Sequence, residues 1–380
     1  MYITRKNFTP QNVFLFTSCV SFLAWVFPSL DFLRKGFSEP YPLLSLSGLA
    51  YPVIIFFFYG VIWVGYHIIP VVNDNQKDTS SALLVNYNVY FASAIISFFG
   101  ILATTFIISK SISVSDIISI YSAGKANAIK EALYEDYSLG LVSLRYCVIL
   151  SGSFAIYRRL MGEKNLGIDI FSLSSLIVVS MISSRLTLIA GVFGGLYLYI
   201  YTKKTIRIKS FKIIFIGGVV FLVLSALNWS RNSNFYEEKG LGFMSAGFSE
   251  ILAYVGTPVQ GALYAISNPD VGKQSYMQFY NESTIESALT TNSAILDVIR
   301  MFGVQGLLFA AVILFFSGLY ISFFEKLKSG KYIYCNIAVF YSIAEFWRIF
   351  LFFQGIIITL ISVSLLLAFF SRVRFRKVLG

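Results

Sequence analysis

Residues 230–261 read SRNSNFYEEKGLGFMSAGFSEILAYVGTPVQG, and the placement of this stretch decides the fold. It opens a segment, Ser230 to Phe302, that interrupts a chain otherwise built from apolar runs of membrane-crossing length. The segment carries Arg231, Glu237, Glu238, Glu250, Asp297 and Arg300 among aromatics such as Phe235, Tyr236, Tyr254, Tyr264, Tyr276 and Tyr280. Charged and aromatic side chains concentrated beside an apolar bundle mark the region where chemistry is expected. Within it, Phe243 to Ile266 is apolar enough to be taken for an additional span. A further crossing would move the basic C-terminus to the other face, and Glu250 and Pro258 suit a lipid-facing helix interior poorly. The stretch is therefore expected to be an interfacial or re-entrant helix, broken near Thr257-Pro258.

Composition sets the class. Hydrophobic residues make up 57% of the chain and charged residues 13%, and the mean hydropathy is +0.73, which excludes a soluble globular domain. The net charge of +11 does not point to nucleic acid, because Lys and Arg gather in short linkers between apolar runs, the pattern of membrane topology. At roughly 20 apolar residues per span, crossings are expected near Val13–Leu33, Leu46–Ile69, Tyr87–Ser109, Leu139–Tyr157, Leu166–Ser183, Leu186–Tyr201, Phe211–Trp229, Val304–Phe324, Tyr332–Ala344 and Ile349–Phe370. This even number puts both termini on one face. That face collects Arg5/Lys6, Arg158/Arg159, Lys203/Lys204/Arg207/Lys209, Lys326/Lys328/Lys331 and Arg372/Arg374/Arg376/Lys377, which marks it as cytoplasmic. The other face receives Glu131, Glu135, Asp136, Asp270, Glu282 and Glu286 with the carboxylates of the large loop. The expectation is an all-α integral membrane protein: one polytopic domain over 1–380, with an extracytoplasmic loop at 230–302 between the seventh and eighth spans. The first apolar run, near Asn12, lacks a small-x-small cleavage site and reads as an anchor. Cys19, Cys147 and Cys335 lie in separate apolar runs without metal-ligand spacing.

Arginines recur at the outer ends of these runs. The hairpin Leu166–Tyr201 has short arms and turns at Ser183-Ser184-Arg185, so Arg185 either sits deep and faces a cavity or snorkels to an ordinary interface. Between Tyr332 and Phe370 the only charges are Glu345 and Arg348, marking an outer turn. At i and i+3 they either neutralise each other on one helical face or present the arginine to a ligand. Arg145, in the outer half of the fourth span, faces a cavity or pairs with Glu135 or Asp136. Arg145, Arg185, Arg231, Arg300 and Arg348 would then approach one side of the bundle. Several guanidiniums suit a diphosphate, because the planar fork binds phosphate oxygens bidentately and stays charged.

No Asp-x-Asp or His-rich cluster offers a metal site, and the one histidine, His67, lies toward the cytoplasmic end of the second span as a packed core residue. Any proton acceptor should be a carboxylate. Glu250 is preferred, because desolvation in its apolar segment would raise its pKa, with Asp297 and Glu345 next; each could instead be one half of an ion pair with an arginine.

With Ser183-Ser184-Arg185-Leu186-Thr187, the long loop after Trp229, Ile251-Leu252-Ala253-Tyr254-Val255-Gly256-Thr257-Pro258, and Thr291-Asn292-Ser293-Ala294 leading to Met301-Phe302-Gly303-Val304-Gln305-Gly306, the chain resembles the Wzy-type O-antigen and capsule polymerases. The likeness covers most of the chain from about Leu139 onward. Such proteins tend to carry an Arg followed eleven residues later by Gly, a spacing that Arg231 and Gly242 match and that Arg145, Arg185 and Arg300 do not repeat. The resemblance implies a GT-C-like architecture in the bacterial inner membrane with both termini cytoplasmic. It also implies an activity: joining undecaprenyl-diphosphate-linked oligosaccharide repeat units at the periplasmic face. The terminal hydroxyl of the incoming unit would attack the donor's anomeric carbon with inversion, and undecaprenyl diphosphate would leave. Arginines would stabilise the departing diphosphate and a carboxylate would take the hydroxyl proton, without metal or cofactor. Faces of Tyr254, Tyr264 and Tyr280 would hold sugar rings. A chain-length regulator and a flippase are the partners the family implies. Two rivals stand beside this reading. An O-antigen ligase of related fold is expected to place a histidine in the large outer loop, which has none. A flippase or transporter is expected to show repeats or broken helices around a midplane site.

Overall fold

The computed structural model describes residues 2–30, 32–70, 84–111, 141–182, 185–203, 205–207, 210–287, 293–326 and 332–372. The described chain is a bundle of helices: α1 (Pro10–Val26), α2 (Leu46–His67), α3 (Tyr87–Ser111), α4 (Val148–Leu160), α5 (Leu166–Ile182), α6 (Arg185–Lys203), α7 (Ser210–Glu238), α8 (Phe243–Ser267), α9 (Tyr276–Ser283), α10 (Ala294–Phe302), α11 (Gly306–Lys326), α12 (Asn336–Ala344) and α13 (Gly355–Arg372). Helices α2, α3, α6 and α11 are long and apolar enough to cross a membrane. The protein is thus a helical membrane protein. It carries one element the hydropathy pattern does not announce, an antiparallel pair formed by β1 (Tyr2–Thr4) and β2 (Thr205–Arg207).

Close helix contact rests on missing side chains. A Cβ on Gly65 of α2 would come within 2.2 Å of the Phe315 carbonyl oxygen, and one on Gly318 of α11 within 2.7 Å of the Ile62 carbonyl oxygen. Small residues that let backbones touch are how apolar helices associate where lipid is as apolar as leucine.

At the end of the bundle that carries the β pair, two carboxylates are buried and satisfied. Glu325 accepts the Tyr66 hydroxyl at 2.5 Å and the Tyr197 hydroxyl at 3.1 Å, while its carbonyl accepts Tyr201 at 2.7 Å. These bonds tie α2, α6 and α11 together. Asp169 of α5 takes the Tyr90 hydroxyl at 2.9 Å and Arg159 at 2.5 Å. At the opposite end, the α1–α2 connection and the segment after α7 fold onto each other. Gln260 is the hub there: its Oε1 accepts Trp25 Nε1 at 2.8 Å, and its Nε2 donates to the carbonyl oxygens of Glu39 at 2.7 Å and Ser283 at 3.1 Å.

Several sequence expectations need correction. Helix α1 ends at Val26 rather than Leu33, and the run from Leu139 begins its described part as a 3-10 turn, Leu141–Cys147, before α4. Helix α8 is one continuous helix, not broken at Thr257-Pro258. Proline lacks the N–H that would bond the Tyr254 carbonyl, but the Thr257 hydroxyl caps the neighbouring Ala253 carbonyl and α1 packs along the helix on both sides of the defect, at Val255 and at Gln260. The expected span Tyr332–Ala344 is a 3-10 turn, Ile333–Cys335, followed by α12, which ends at Ala344 as expected, and α13 starts at Gly355 rather than Ile349. His67 is exposed at the end of α2, stacked on Trp63 at 4.9 Å, and is not a core residue.

Candidate functional site

The short α12 creates the site. It stops at Ala344, and the chain runs as turns from Glu345 to Gln354 before α13 begins. Phe346 in this stretch packs against Phe14 of α1 and against Phe58, which lies midway along α2. The Glu345–Arg348 pair stands in the turn between α12 and α13, as expected, and Phe346 brings that turn against the middle of α2. Non-helical backbone at that depth is stable only where protein or a water-filled cavity surrounds it.

Three further elements meet at or beside this stretch. Arg348, 4% exposed, pairs through Nε with Glu345 Oε2 at 2.6 Å, and its guanidinium carbon lies 4.2 Å from the Tyr254 ring centroid on α8. A planar cation stacked on an aromatic face and hydrogen-bonded to a carboxylate is held in one orientation. Asp297 of α10 accepts the Phe350 backbone N–H at 3.2 Å, which brings a second carboxylate to the same stretch. The Tyr341 hydroxyl of α12 donates to the Leu186 carbonyl at 3.3 Å, so the first turn of α6, where Arg185 stands, abuts the end of α12. Helix α10 is positioned by Ser293, whose hydroxyl caps the Ile295 N–H at 3.2 Å, and it ends at Gly303 with φ +66°, a conformation open to glycine at little cost.

Burial sets the behaviour of Asp297. Desolvation raises its pKa to about 6, against the opposing pull of the Phe350 N–H and the Arg300 charge. A carboxylate that titrates near neutrality can both take and return a proton under ordinary conditions.

The other expected residues have different surroundings. Arg145 is fully buried in the 3-10 turn ahead of α4, donating to the Tyr146 hydroxyl at 3.0 Å where the turn presses on Gly100 of α3. Its expected partners Glu135 and Asp136 lie outside the described residues, as do the side chains of Arg185 and Arg231. Arg300 donates to the Gln274 carbonyl at 3.2 Å and stacks on Tyr276 at 4.2 Å, bracing α9 against α10. Tyr264 is occupied in the same way by Gln274 at 2.9 Å and by Glu282. Glu250 takes the Tyr236 hydroxyl at the crossing of α7 and α8. Tyr280 is half-buried and lines a cleft at the end of the bundle away from the β pair.

Compared with family models, curated proteins and solved structures, the chain matches none. The chemistry is therefore argued from the residues alone. Among the described residues no three His, Cys, Asp or Glu side chains gather as metal ligands. What the arrangement offers is a buried arginine, two carboxylates of unlike environment and an aromatic face, grouped on a non-helical segment inside an apolar bundle. Sequence reading singled out Tyr254, Asp297, Glu345 and Arg348 separately. It missed Gln260 and Glu325, although an isolated amide or carboxylate within an apolar run is the kind of residue that has to find partners.

Proposed function

We propose that this protein is a lipid-linked oligosaccharide polymerase of the O-antigen or capsule type, an inverting glycosyltransferase acting at the extracytoplasmic face of a bacterial inner membrane. The observation that carries the reading is the Arg348–Glu345 pair on Tyr254 with Asp297 beside it, in a non-helical stretch against the first turn of α6. In this reaction the acceptor hydroxyl attacks the anomeric carbon of the donor glycan. The bond to the diphosphate oxygen breaks, and its electron pair leaves on undecaprenyl diphosphate. Arginines, with Arg348 and Arg185 foremost and Arg231 from α7, neutralise that departing charge. Asp297 takes the hydroxyl proton: burial raises its pKa to about 6, whereas Glu250 is committed to Tyr236 and Glu345 to Arg348. Arg145 and Arg300 are structural in this scheme, held by Tyr146 and by Gln274 with Tyr276. The test is the lipid-linked product in cells lacking the gene and carrying variants. Arg185→Ala and Arg231→Ala should accumulate a single unpolymerised repeat unit with normal protein in the membrane, and normal polymer in both would reject the diphosphate role. Arg231→Lys should rescue poorly, because an ammonium cannot supply the bidentate fork.

A second reading has one observation in its favour. Helix α12 is interrupted halfway along the bundle by charged residues, the arrangement expected of a transporter's substrate site. Purified protein in liposomes separates the two: a polymerase lengthens lipid-linked glycan without moving it across the bilayer, and a transporter does the reverse.

A further inference from the structure

A second site lies at the end of the bundle away from the β pair, apart from the Arg348 cluster. A cleft of about 580 Å³ opens between the α1–α2 connection and the end of α9, lined by Arg34, Lys35, Tyr280, Asn281 and Glu286 among others. Its two walls are fastened by backbone bonds, Ser38 N–H to the Thr284 carbonyl at 3.1 Å and Glu286 N–H to the Gly36 carbonyl at 2.9 Å, so it is a built cleft rather than a gap between loose loops. The volume falls within the usual range for small-ligand sites, roughly 300–1,000 Å³.

Its charge is one-sided. Lys35 is 7% exposed, and its ammonium has one hydrogen bond, to the Trp25 carbonyl at 2.7 Å. Among the described residues no carboxylate lies within ion-pair reach of it, and burial pulls its pKa below the ordinary lysine value. Arg34 is exposed, with its backbone pinned to Ser249 of α8 at 3.0 Å, and its guanidinium makes no ion pair among the described residues. Among the described residues the one acidic lining residue, Glu286, is already neutralised by Lys239 at 2.8 Å. A buried ammonium with no carboxylate partner among the described residues would be relieved by an anion. Tyr280 adds an aromatic wall on which a sugar ring can lie, and Asn281 adds an amide that can both donate and accept.

We infer that this cleft binds an acidic saccharide, its carboxylate or phosphate held between Arg34 and Lys35 and its ring against Tyr280. The inference rests on the polymerase reading for its meaning, as a subsite for the glycan, but not for its test. Arg34 is joined to α8 at Ser249, and the same helix carries Tyr254 to Arg348, so glycan held here lies along the helix that leads to the reacting centre.

The experiment is calorimetric titration of the full-length protein in detergent with digalacturonate, with neutral maltose and inorganic phosphate as separate arms. Digalacturonate should bind more weakly as salt rises, and maltose and phosphate at least about tenfold more weakly, since the site needs both charge and ring. Arg34→Ala should weaken digalacturonate about tenfold, as should Tyr280→Ala. Lys35→Met should do the same; should it fail to fold, Arg34→Ala and Tyr280→Ala decide. Equal binding of maltose, equal binding of phosphate, or affinity unchanged in Arg34→Ala would each overturn the assignment. Because binding is read without turnover, a failure here is distinct from failure of the polymerase reading, which shows in lipid-linked products instead.

Discussion

The two carboxylate clusters of the bundle are built on opposite plans. Near the β pair, Glu325 is surrounded by the hydroxyls of Tyr66 and Tyr197, on helices that are long and regular. Midway along the bundle, Glu345 faces Arg348 on a chain that has left the helix, with Asp297 near and α6 beginning alongside. Neutral donors around a carboxylate fix it in place and join helices. An arginine paired to a carboxylate in irregular backbone presents an oriented positive charge to an incoming anion. The proposed function places its chemistry at the second of these clusters.

The sharpest way to break this comparison is Arg348→Ala. Removing one member of a buried pair strands the other, so thermal unfolding in detergent should show a loss of about 3–5 kcal/mol, with chain growth abolished. The double change Glu345→Leu with Arg348→Met should restore much of the stability and none of the activity. Activity in the double variant would demote the pair to a structural role.

Asp297→Asn should separate stability from activity. The amide oxygen can still accept the Phe350 N–H and carries no buried charge, so stability at neutral pH should hold or rise, while glycan lengthening should fall roughly 10²–10⁴-fold if a general base is lost. The pH dependence follows from the raised pKa of about 6. Activity should decline as pH falls through about 6, because protonation removes the accepting lone pair. The stability contribution has the opposite sense. With its folded pKa above the unfolded value, Asp297 favours folding most below the unfolded pKa, and that contribution is lost as pH rises through about 6. A pH–activity profile that is flat from 5 to 7 would exclude it as the base.

Glu325→Gln sharpens the other half. One tyrosine hydroxyl loses an ionic acceptor, so stability should drop by about 1–3 kcal/mol in the same unfolding assay, with the ratio of polymer to single repeat unit unchanged. The smallest effect is expected of His67→Ala at the exposed end of α2, within about 0.5 kcal/mol and silent in activity. A catalytic loss there would reopen reaction classes that need a histidine.

Much of the bundle is legible in the sequence because membrane-length apolar runs leave the backbone one solution, the helix; α2, α3 and α11 lie close to where hydropathy puts them. Between Tyr332 and Phe370 that rule holds in part: the helix ends at Ala344 where expected, but the turn after it runs to Gln354 rather than Arg348. Hydropathy registers the removal of side chains from water, and a turn buried in protein satisfies it as well as a helix buried in lipid. Pro258 misleads in the opposite direction. A helix-breaking residue predicts a break, but packing along α1 and the Thr257 hydroxyl carry α8 through it.

The candidate residues divide along the same line. Tyr254, Asp297, Glu345 and Arg348 stand out in sequence as polar or aromatic groups in apolar surroundings, but nothing in their spacing tells that residues 254 and 348 touch or that Asp297 caps Phe350. Arg300 and Tyr264 look equally eligible and prove to be engaged with Gln274. Arg34 and Lys35 lie in a short connection that reads as an ordinary linker, and only its fold against Tyr280 and Glu286 makes it one wall of a cleft. By itself the sequence determined the class of protein, the positions of its long helices and the residue types available for chemistry, because those follow from transfer free energies and local hydrogen bonding. The tertiary structure alone decided which charges meet, how deep they lie and which are already neutralised, because these depend on contacts between residues far apart in the chain.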